Sequence, residues 1–232
     1  VHRNNQRLDE DLATVVDHRV PLVITSVGKP GDIADAVHGY GGTLFHDVTN
    51  VRHAQKALES RADGLILVCA GAGGHAGTTN PFALVPEVRS FFDGPVILSG
   101  CISDGRSIRA AQTLGADLAY LGTRFIATEE ANAPPLYKET ILDSGAADIT
   151  YTPEFSGIPG SYLTKSIVNA GLDPADLLLP GQSANREYRS GQDKPKAWST
   201  IWGAGQGVGT ISEVLPAVEL AQRLKAEYEA AA

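Results

Sequence analysis

Hydrophobic residues along this chain fall into short, nearly unbroken runs instead of alternating with polar ones. The runs are Pro21–Val27, Gly42–Val48, Gly64–Cys69, Pro95–Ser99 and Leu118–Phe125. A strand wetted on one face alternates apolar and polar residues, whereas a continuous apolar run suits a strand covered on both faces of a parallel sheet. Between the runs, Gly31–Gly39, Val51–Ala62, Phe82–Phe92 and Asp104–Gly115 have helical composition. Asn50 before Val51 and Ser103 before Asp104 stand where N-caps belong, and Gly115 stands where a helix closes. Strand follows strand at intervals of roughly 20–30 residues, the size of a βα unit. The pattern predicts an α/β fold and leaves open whether the sheet is open or closed.

After Phe125 the rhythm stops. Glu129–Leu142 reads as a helix broken by Pro134 and Pro135, and residues 144–202 are rich in Gly, Pro, Ser, Tyr and Asn. That stretch includes a short helical segment near Leu163–Ala170, and its most polar part, Pro180–Lys196, is expected to be mobile. An excursion of such length is commonly functional or disordered. It reads as an insertion over about residues 143–202, either a lid over a site or a passive surface feature. Ser212–Ala230 predicts a terminal helix with Ser212 as its cap and Pro216 in the first turn, where no N–H is needed. Val214, Val218 and Ala221 would share its inner face.

Composition narrows the class. With 232 residues, 43% of them hydrophobic, the chain is long enough for one large domain or two small ones and has ample material for a core. A net charge of −8 and a pI near 5.2 have the wrong sign for a protein that neutralises nucleic-acid phosphates. No apolar run approaches the roughly 18 residues of a membrane span. Cys69 and Cys101 form no CxxC pair, and there is no disulfide framework to read from two cysteines. The expectation is a cytoplasmic globular protein. The chain contains no Met and begins at Val1, which suggests a processed product or the ordered part of a longer polypeptide.

The densest chemical signal is the run Ala70-Gly71-Ala72-Gly73-Gly74-His75-Ala76-Gly77, directly after an apolar strand. Glycines there let backbone approach a ligand closely. Gly71, Gly73 and Ala76 satisfy G-x-G-x-x-G/A, but Asn80-Pro81 interrupts the following stretch. The next strand also ends in Ser99-Gly100 without a ribose-binding acid, so the context argues against a dinucleotide site. His75 alone among glycines reads equally as a loop residue bonded to backbone.

A second signal is Ser99-Gly100-Cys101-Ile102-Ser103-Asp104-Gly105 at a strand end feeding a helix start, an arrangement that attracts phosphate. A third, Leu121-Gly122-Thr123-Arg124, follows one βα unit later, and consecutive turns of this kind bind phosphate in β/α barrels. Ordinary tight βα loops are the plain alternative. His46 and Asp47 end the second strand, where they face a site or serve structure. Cys69 and Cys101 read as small fillers, since nothing basic adjoins them. The run Gly203–Gly209 can mould around a ligand, with Gln206 as its hydrogen-bonding group. P-loop, zincin and nucleophile-elbow motifs are absent, and no metal site is expected.

Taken together, GAGGHAG after a strand, SGCISDGRSIRAAQTLGADLAYLGTRF, and KAWSTIWGAGQGVG before a last helix resemble the nitronate monooxygenase family, formerly called 2-nitropropane dioxygenases. Residues from about Pro21 to Gly209 follow the family's order. The resemblance implies a single flavin-binding domain over residues 1–232, with the (β/α)8 TIM-barrel fold and non-covalent FMN. It implies oxidation of alkyl nitronates, or nitroalkanes, with O2 to a carbonyl compound and nitrite. Gly100 and Cys101 with Gly122 and Thr123 would hold the FMN phosphate, with Ser99, Gly73 and Gly74 beside the cofactor. His75 would be the catalytic base or orient the substrate, and Gln206 would lie near the ring.

Five barrel-type strands fall short of the eight that close a β/α barrel, so the first three βα units are expected to be missing, leaving an edge at Pro21–Val27. The family's phosphate turn usually reads Gly-Gly-Ile, and Cys101 replaces its second Gly. Related flavin reductases carry Lys where this chain has Asp47. NAD(P)H:quinone and enoyl reductases share the scaffold, so a reductase, or a non-catalytic flavin-binding chain, is the alternative. The resemblance leaves homo-oligomerisation open.

Overall fold

The computed structural model describes residues 5–179 and 198–231; the polar stretch Pro180–Lys196 lies outside them. The chain runs α1 (Leu8–Asp17), β1 (Leu22–Thr25), α2 (Gly31–His38), β2 (Thr43–Val48), α3 (Val51–Glu59), β3 (Gly64–Val68), β4 (Gly74–His75), α4 (Pro81–Arg89), β5 (Val96–Ser99), α5 (Gly105–Leu114) and β6 (Leu118–Tyr120). It continues through α6 (Thr123–Ile126), α7 (Pro135–Leu142), β7 (Ile149–Thr152), β8 (Gly160–Leu163), α8 (Thr164–Asn169) and α9 (Ala217–Ala230). Two compact units result. One comprises Val1–Cys69, Thr78–Ser99 and Ala111–Ala119; the other comprises Ala70–Gly77, Gly100–Ala110 and Tyr120–Ala232. Among the described residues, no helix is long and apolar enough to cross a membrane.

The first unit is built on the parallel sheet that the apolar runs predict, in the order β1-β2-β3-β5-β6. Its central strand is apolar because both faces are covered: Leu65, Ile66 and Leu67 are fully buried. The register sets Ile24 beside Phe45, Asp47 beside Ile66, and Ile66 beside Ile97. Ile24, Phe45, Ile66, Val68 and Ile97 then share one face and pack together. On the opposite face Val23 and Leu44 meet Ile33, Ala34 and Val37 of α2, with Leu8 and Leu12 of α1 beyond them. Helix α3 starts as its sequence predicts, with the Asn50 side chain accepting a hydrogen bond from the His53 amide at 2.9 Å.

The second unit carries a smaller antiparallel sheet, β4-β8-β7. Its hairpin pairs Ile149 with Leu163 and Thr152 with Gly160, while His75 pairs with Gly160. The described part of the insertion is therefore folded. It has its own core of Phe155, Tyr162, Ile167, Leu177 and Ile201. A second cluster joins Ala127, Ile141, Leu163, Ala204, Val208 and Ile211.

Four sequence expectations are corrected here. The run Leu118–Phe125 is a strand only to Tyr120, because Thr123–Ile126 coils into a single helical turn. The predicted helix Glu129–Leu142 forms only from Pro135, since Pro134 and Pro135 hold the preceding backbone extended. Asp104, not Ser103, caps α5. Its carboxylate accepts from the Ser107 amide at 2.7 Å, and the Ser107 hydroxyl accepts from the amides of Ser103 and Asp104. Ser212 does not cap the last helix. That helix begins after Pro216, the Glu130 carboxylate accepts from the Ala217 amide, and Leu220 and Leu224 face inward while Val218 is 62% exposed. The cause is a bridge between Thr128 and Leu215 that keeps the chain extended past Ser212.

A carboxylate organises the edge of the parallel sheet. Asp117 accepts from the Val96 amide at 2.7 Å and from the Arg89 guanidinium at 2.6 Å, while Arg89 also donates to the carbonyls of Gly94 and Gly115. The Val96 amide, and after it the Arg89 charge, hold the Asp117 carboxyl below its ordinary value. A carboxyl depressed in the folded state contributes stability above its unfolded value, near pH ~4, and loses it as pH falls through the lower folded value. Replacing Asp117 by Asn should lower the urea midpoint at neutral pH. It should also flatten the acid-side fall in stability, measured as midpoints at neutral pH and in acid.

Candidate active site

The three motifs that stand far apart in sequence meet in the second unit, and they meet through bare backbone. A Cβ placed on Gly205 would lie 2.5 Å from the Gly71 carbonyl oxygen and 2.9 Å from the Gly73 nitrogen. One on Gly207 would lie 2.6 Å from Ser103 Oγ and 3.1 Å from the Cys101 carbonyl carbon. Separations this short admit no side chain, so the 203–207 segment, the histidine loop and the turn after β5 are in main-chain contact at these two residues. Hydrogen bonds complete the junction. The Gln206 amide donates to the Gly71 carbonyl at 2.8 Å, the Gly205 amide to Thr123 Oγ at 2.9 Å, and the Leu163 amide to the Trp202 carbonyl at 2.8 Å.

Tyr137 braces this segment. Its hydroxyl donates to the Gly203 carbonyl, and its ring stacks on Trp202 with centroids 5.0 Å apart. Burial pushes the Tyr137 phenol up to about 12, so it stays a donor at any physiological pH.

His75 stands on β4, its backbone paired with Gly160. Its Nε2 lies 2.9 Å from Ser156 Oγ, and the Trp198 indole meets its ring edge-on at 5.4 Å. Trp198 in turn leans on the buried Tyr162 ring at 5.3 Å. The Tyr151 hydroxyl donates to the Ala76 carbonyl at 2.6 Å, tying the loop's far end to the insertion.

The two phosphate-type turns differ from the simple expectation. Gly100 and Cys101 both adopt positive φ, at 128° and 56°. Cys101 is exposed, and burial of its sulfur pushes the thiol up, with a backbone hydrogen bond from Gly207 opposing. The amides at the head of α5 are already engaged: Gly105 donates to the Glu227 carboxylate at 2.8 Å, and the neighbouring amides are held by Ser107 and Asp104. The helix start is thus answered by the chain's own carboxylates, and the turn residues before it are what a phosphate could approach. At Gly122 the backbone is exposed, and a Cβ there would meet nothing within 4 Å.

The structure brings together Gly73, Gly74, His75, Cys101, Thr123 and Gln206 around one junction. Ser99, in the first unit, ends β5 and accepts at its carbonyl from the Cys69 amide at 3.0 Å. His46 and Asp47 also belong to the first unit. His46 Nδ1 lies 2.7 Å from Thr25 Oγ, and burial lowers its imidazole below the ordinary value. Asp47 Oδ1 is buried with no hydrogen-bond partner among the described residues, and burial raises its carboxyl. Ser156, Tyr162 and Tyr137 were not singled out from sequence. Ser156 lies 81 positions from His75, and no motif marks it.

Comparisons with known proteins give the fold class and the family. FabK from Thermotoga maritima superposes with a TM-score of 0.79 at 23% identity, covering 99% of this chain and 75% of its own. Nitroalkane oxidase from Streptomyces ansochromogenes gives 0.76 at 26% identity, covering 97% and 68%. The fold class is α/β of the TIM-barrel type. In sequence, a probable nitronate monooxygenase of Staphylococcus haemolyticus is 33% identical over 164 residues, 66% of this chain and 46% of that protein. Residues 2–227 match the family described as nitronate monooxygenase. The chain belongs to the nitronate monooxygenase family. It spans between 46% and 60% of the length of the curated relatives it matches first.

The junction makes a direct prediction. Gly205→Ala forces a methyl into the Gly71 carbonyl and should cost about 1–3 kcal/mol, the usual penalty of overpacking. Thermal unfolding of the variant checks it; an unchanged midpoint would mean that the segments do not meet as described.

Proposed function

We propose that the protein is an FMN-dependent oxidoreductase that oxidises alkyl nitronates with O2 to a carbonyl compound and nitrite. The observation that carries this reading is the main-chain meeting of a histidine loop, the first phosphate-type turn and a glycine-rich segment, to which the second turn adds the Thr123 hydroxyl bonded to the Gly205 amide. Membership of the nitronate monooxygenase family supports it, as does a structural neighbour described as a nitroalkane oxidase. FMN, when bound, would supply the redox chemistry, accepting electrons from the substrate and passing them to O2.

The residues present fit such a group. Gly100 and Gly122 offer backbone without a side chain, and Thr123 adds a hydroxyl. The Asp104 and Glu227 carboxylates at the head of α5 oppose a second anion there, so the phosphate would depend on Gly100–Cys101 and Gly122–Thr123. Gly73, Gly74 and Gln206 would line the ring, with Ser99 at the edge of the phosphate turn. Partial burial of the Cys101 sulfur raises its thiol, which disfavours the thiolate. The insertion contributes to the site, because Ser156 and Trp198 both touch His75.

His75 has a task that depends on the substrate. A neutral nitroalkane must lose an α-proton before it can be oxidised, and an imidazole is the side chain suited to taking it near neutral pH. A preformed nitronate needs only a partner for its oxygens. His75→Ala should therefore reduce nitrite release from a neutral nitroalkane by about 10²–10⁴-fold, while the loss with the matching nitronate is smaller and FMN retention is unchanged. Near-normal release from both substrates would refute the role of His75. NADH oxidation by a quinone without nitrite release would replace the monooxygenase reading with a reductase. Chromatography of the extracted flavin should show FMN, because two adjacent turns suit one terminal phosphate, whereas a pyrophosphate takes a helix start with a ribose acid.

A further inference from the structure

Trp198 is a large aromatic side chain held against the candidate base and left half open. Its indole meets the His75 ring edge-on with centroids 5.4 Å apart, and it leans on the buried Tyr162 ring at 5.3 Å. The six-membered half of the indole lies over bare backbone. A Cβ on Gly74 would stand 3.3 Å from Cη2, and one on Gly203 would stand 2.8 Å from Cζ3, so neither glycine could carry a side chain without crowding the indole. Despite these contacts Trp198 is 52% exposed. Its backbone has a φ of 68°, in the left-handed region that bulky residues seldom adopt. The turn that imposes this is anchored in the core, because the Trp198 amide donates to the carbonyl of the fully buried Ile201 at 2.9 Å. A fixed aromatic face beside a few polar groups is how small-molecule sites are commonly walled.

We propose that Trp198 determines specificity for the carbon chain of the substrate, its open indole face taking the alkyl group of a nitronate whose charged oxygens lie toward His75. The proposal rests on the reading of His75 as the residue that meets the substrate. A nitronate has a planar anionic head and an apolar chain, and the His75–Trp198 pair offers one polar and one apolar partner in direct contact. Methylenes laid on an aromatic face leave water on one side, which favours a longer chain without any polar contact. The contacts with Gly74, Gly203, His75 and Tyr162 hold the indole in one place, so it selects by the length of chain it can cover. The chain's other tryptophan is employed differently. Trp202 stacks on Tyr137 and donates its indole N–H to the Ser199 carbonyl at 3.1 Å, which makes it part of the scaffold.

The test uses the flavin-loaded protein and two homologous series. Straight-chain carboxylates from acetate to pentanoate share the planar anionic head of a nitronate, and their Kd is measured by calorimetry. The nitronates of nitroethane through 1-nitropentane are followed by nitrite release. In the wild type each added methylene should tighten the carboxylate Kd, and raise kcat/KM for the nitronate, by about two- to fourfold, since a half-exposed ring covers a methylene on one side only. Trp198→Ala should flatten both series, while Trp198→Phe keeps a ring and retains part of the gradient. Trp198→Gln, which keeps bulk and removes the apolar face, should match Trp198→Ala and gives the same reading if the alanine variant fails to fold. A gradient that survives in these variants, or a wild type that binds no carboxylate, would overturn the proposal. Loss of flavin from folded Trp198→Ala would overturn it too, by making the indole a support of the cofactor. A graded carboxylate Kd that Trp198→Ala abolishes, with no nitrite from any nitronate, would uphold the role of Trp198 and remove the monooxygenase reading instead.

Discussion

Everything proposed for this chain depends on main chain touching main chain. At Gly205 and Gly207 the approach is too close for a methyl group, and three segments separated by as many as 130 or so positions are held in register there. Side-chain packing tolerates substitution because volumes can be exchanged; a carbonyl against a Cα cannot be repacked. The junction therefore behaves as a rigid datum from which His75, Cys101 and Thr123 are each displaced by only a few bonds. A site built on backbone also presents amides and carbonyls whose directions do not depend on rotamers, which suits a ligand whose binding end is a phosphate.

Around that datum the chain distributes its polar groups unevenly. The insertion hairpin contributes hydroxyls from Tyr151, Ser156 and Tyr162 toward the histidine loop. The terminal helix α9 contributes a carboxylate, Glu227, to the start of α5 and an aromatic ring, Tyr228, beneath the Arg109 guanidinium at 4.2 Å. Acid at a helix start stabilises that helix. Here it also engages the amides of that helix start, which are then not open to an anion.

The parallel sheet was legible because its signal is local and redundant. Each of the five apolar runs contains a strand, and Asn50 and Gly115 act where their chemistry places them. The glycine motifs were legible as candidates for the same reason. What escaped was decided at a distance. The Ser212 cap gave way to Glu130, 87 positions from Ala217, because a bridge elsewhere held the chain extended. The strand ending at Phe125 gave way to a helical turn whose Arg124 is buried and donates to the Ala127 carbonyl. Ser156 carries no pattern of its own, and only folding brings it to His75. Sequence reading singled out glycines whose bare backbone the packing uses, with His75 as a candidate beside them, and missed residues that enter only through what they touch.

Tyr137 gives the junction a property that bears on any measurement made upon it. A phenol pushed up to about 12 does not change charge while an imidazole titrates. The bond from its hydroxyl to the Gly203 carbonyl, and the stacked Trp202 ring beside it, are the same in mild acid and in mild base. The glycine segment thus has an anchor whose charge does not change near neutral pH. Moderate changes of acidity leave this hydrogen bond and its stacked ring in place, so the position of Gly203 is set by packing and not by titration.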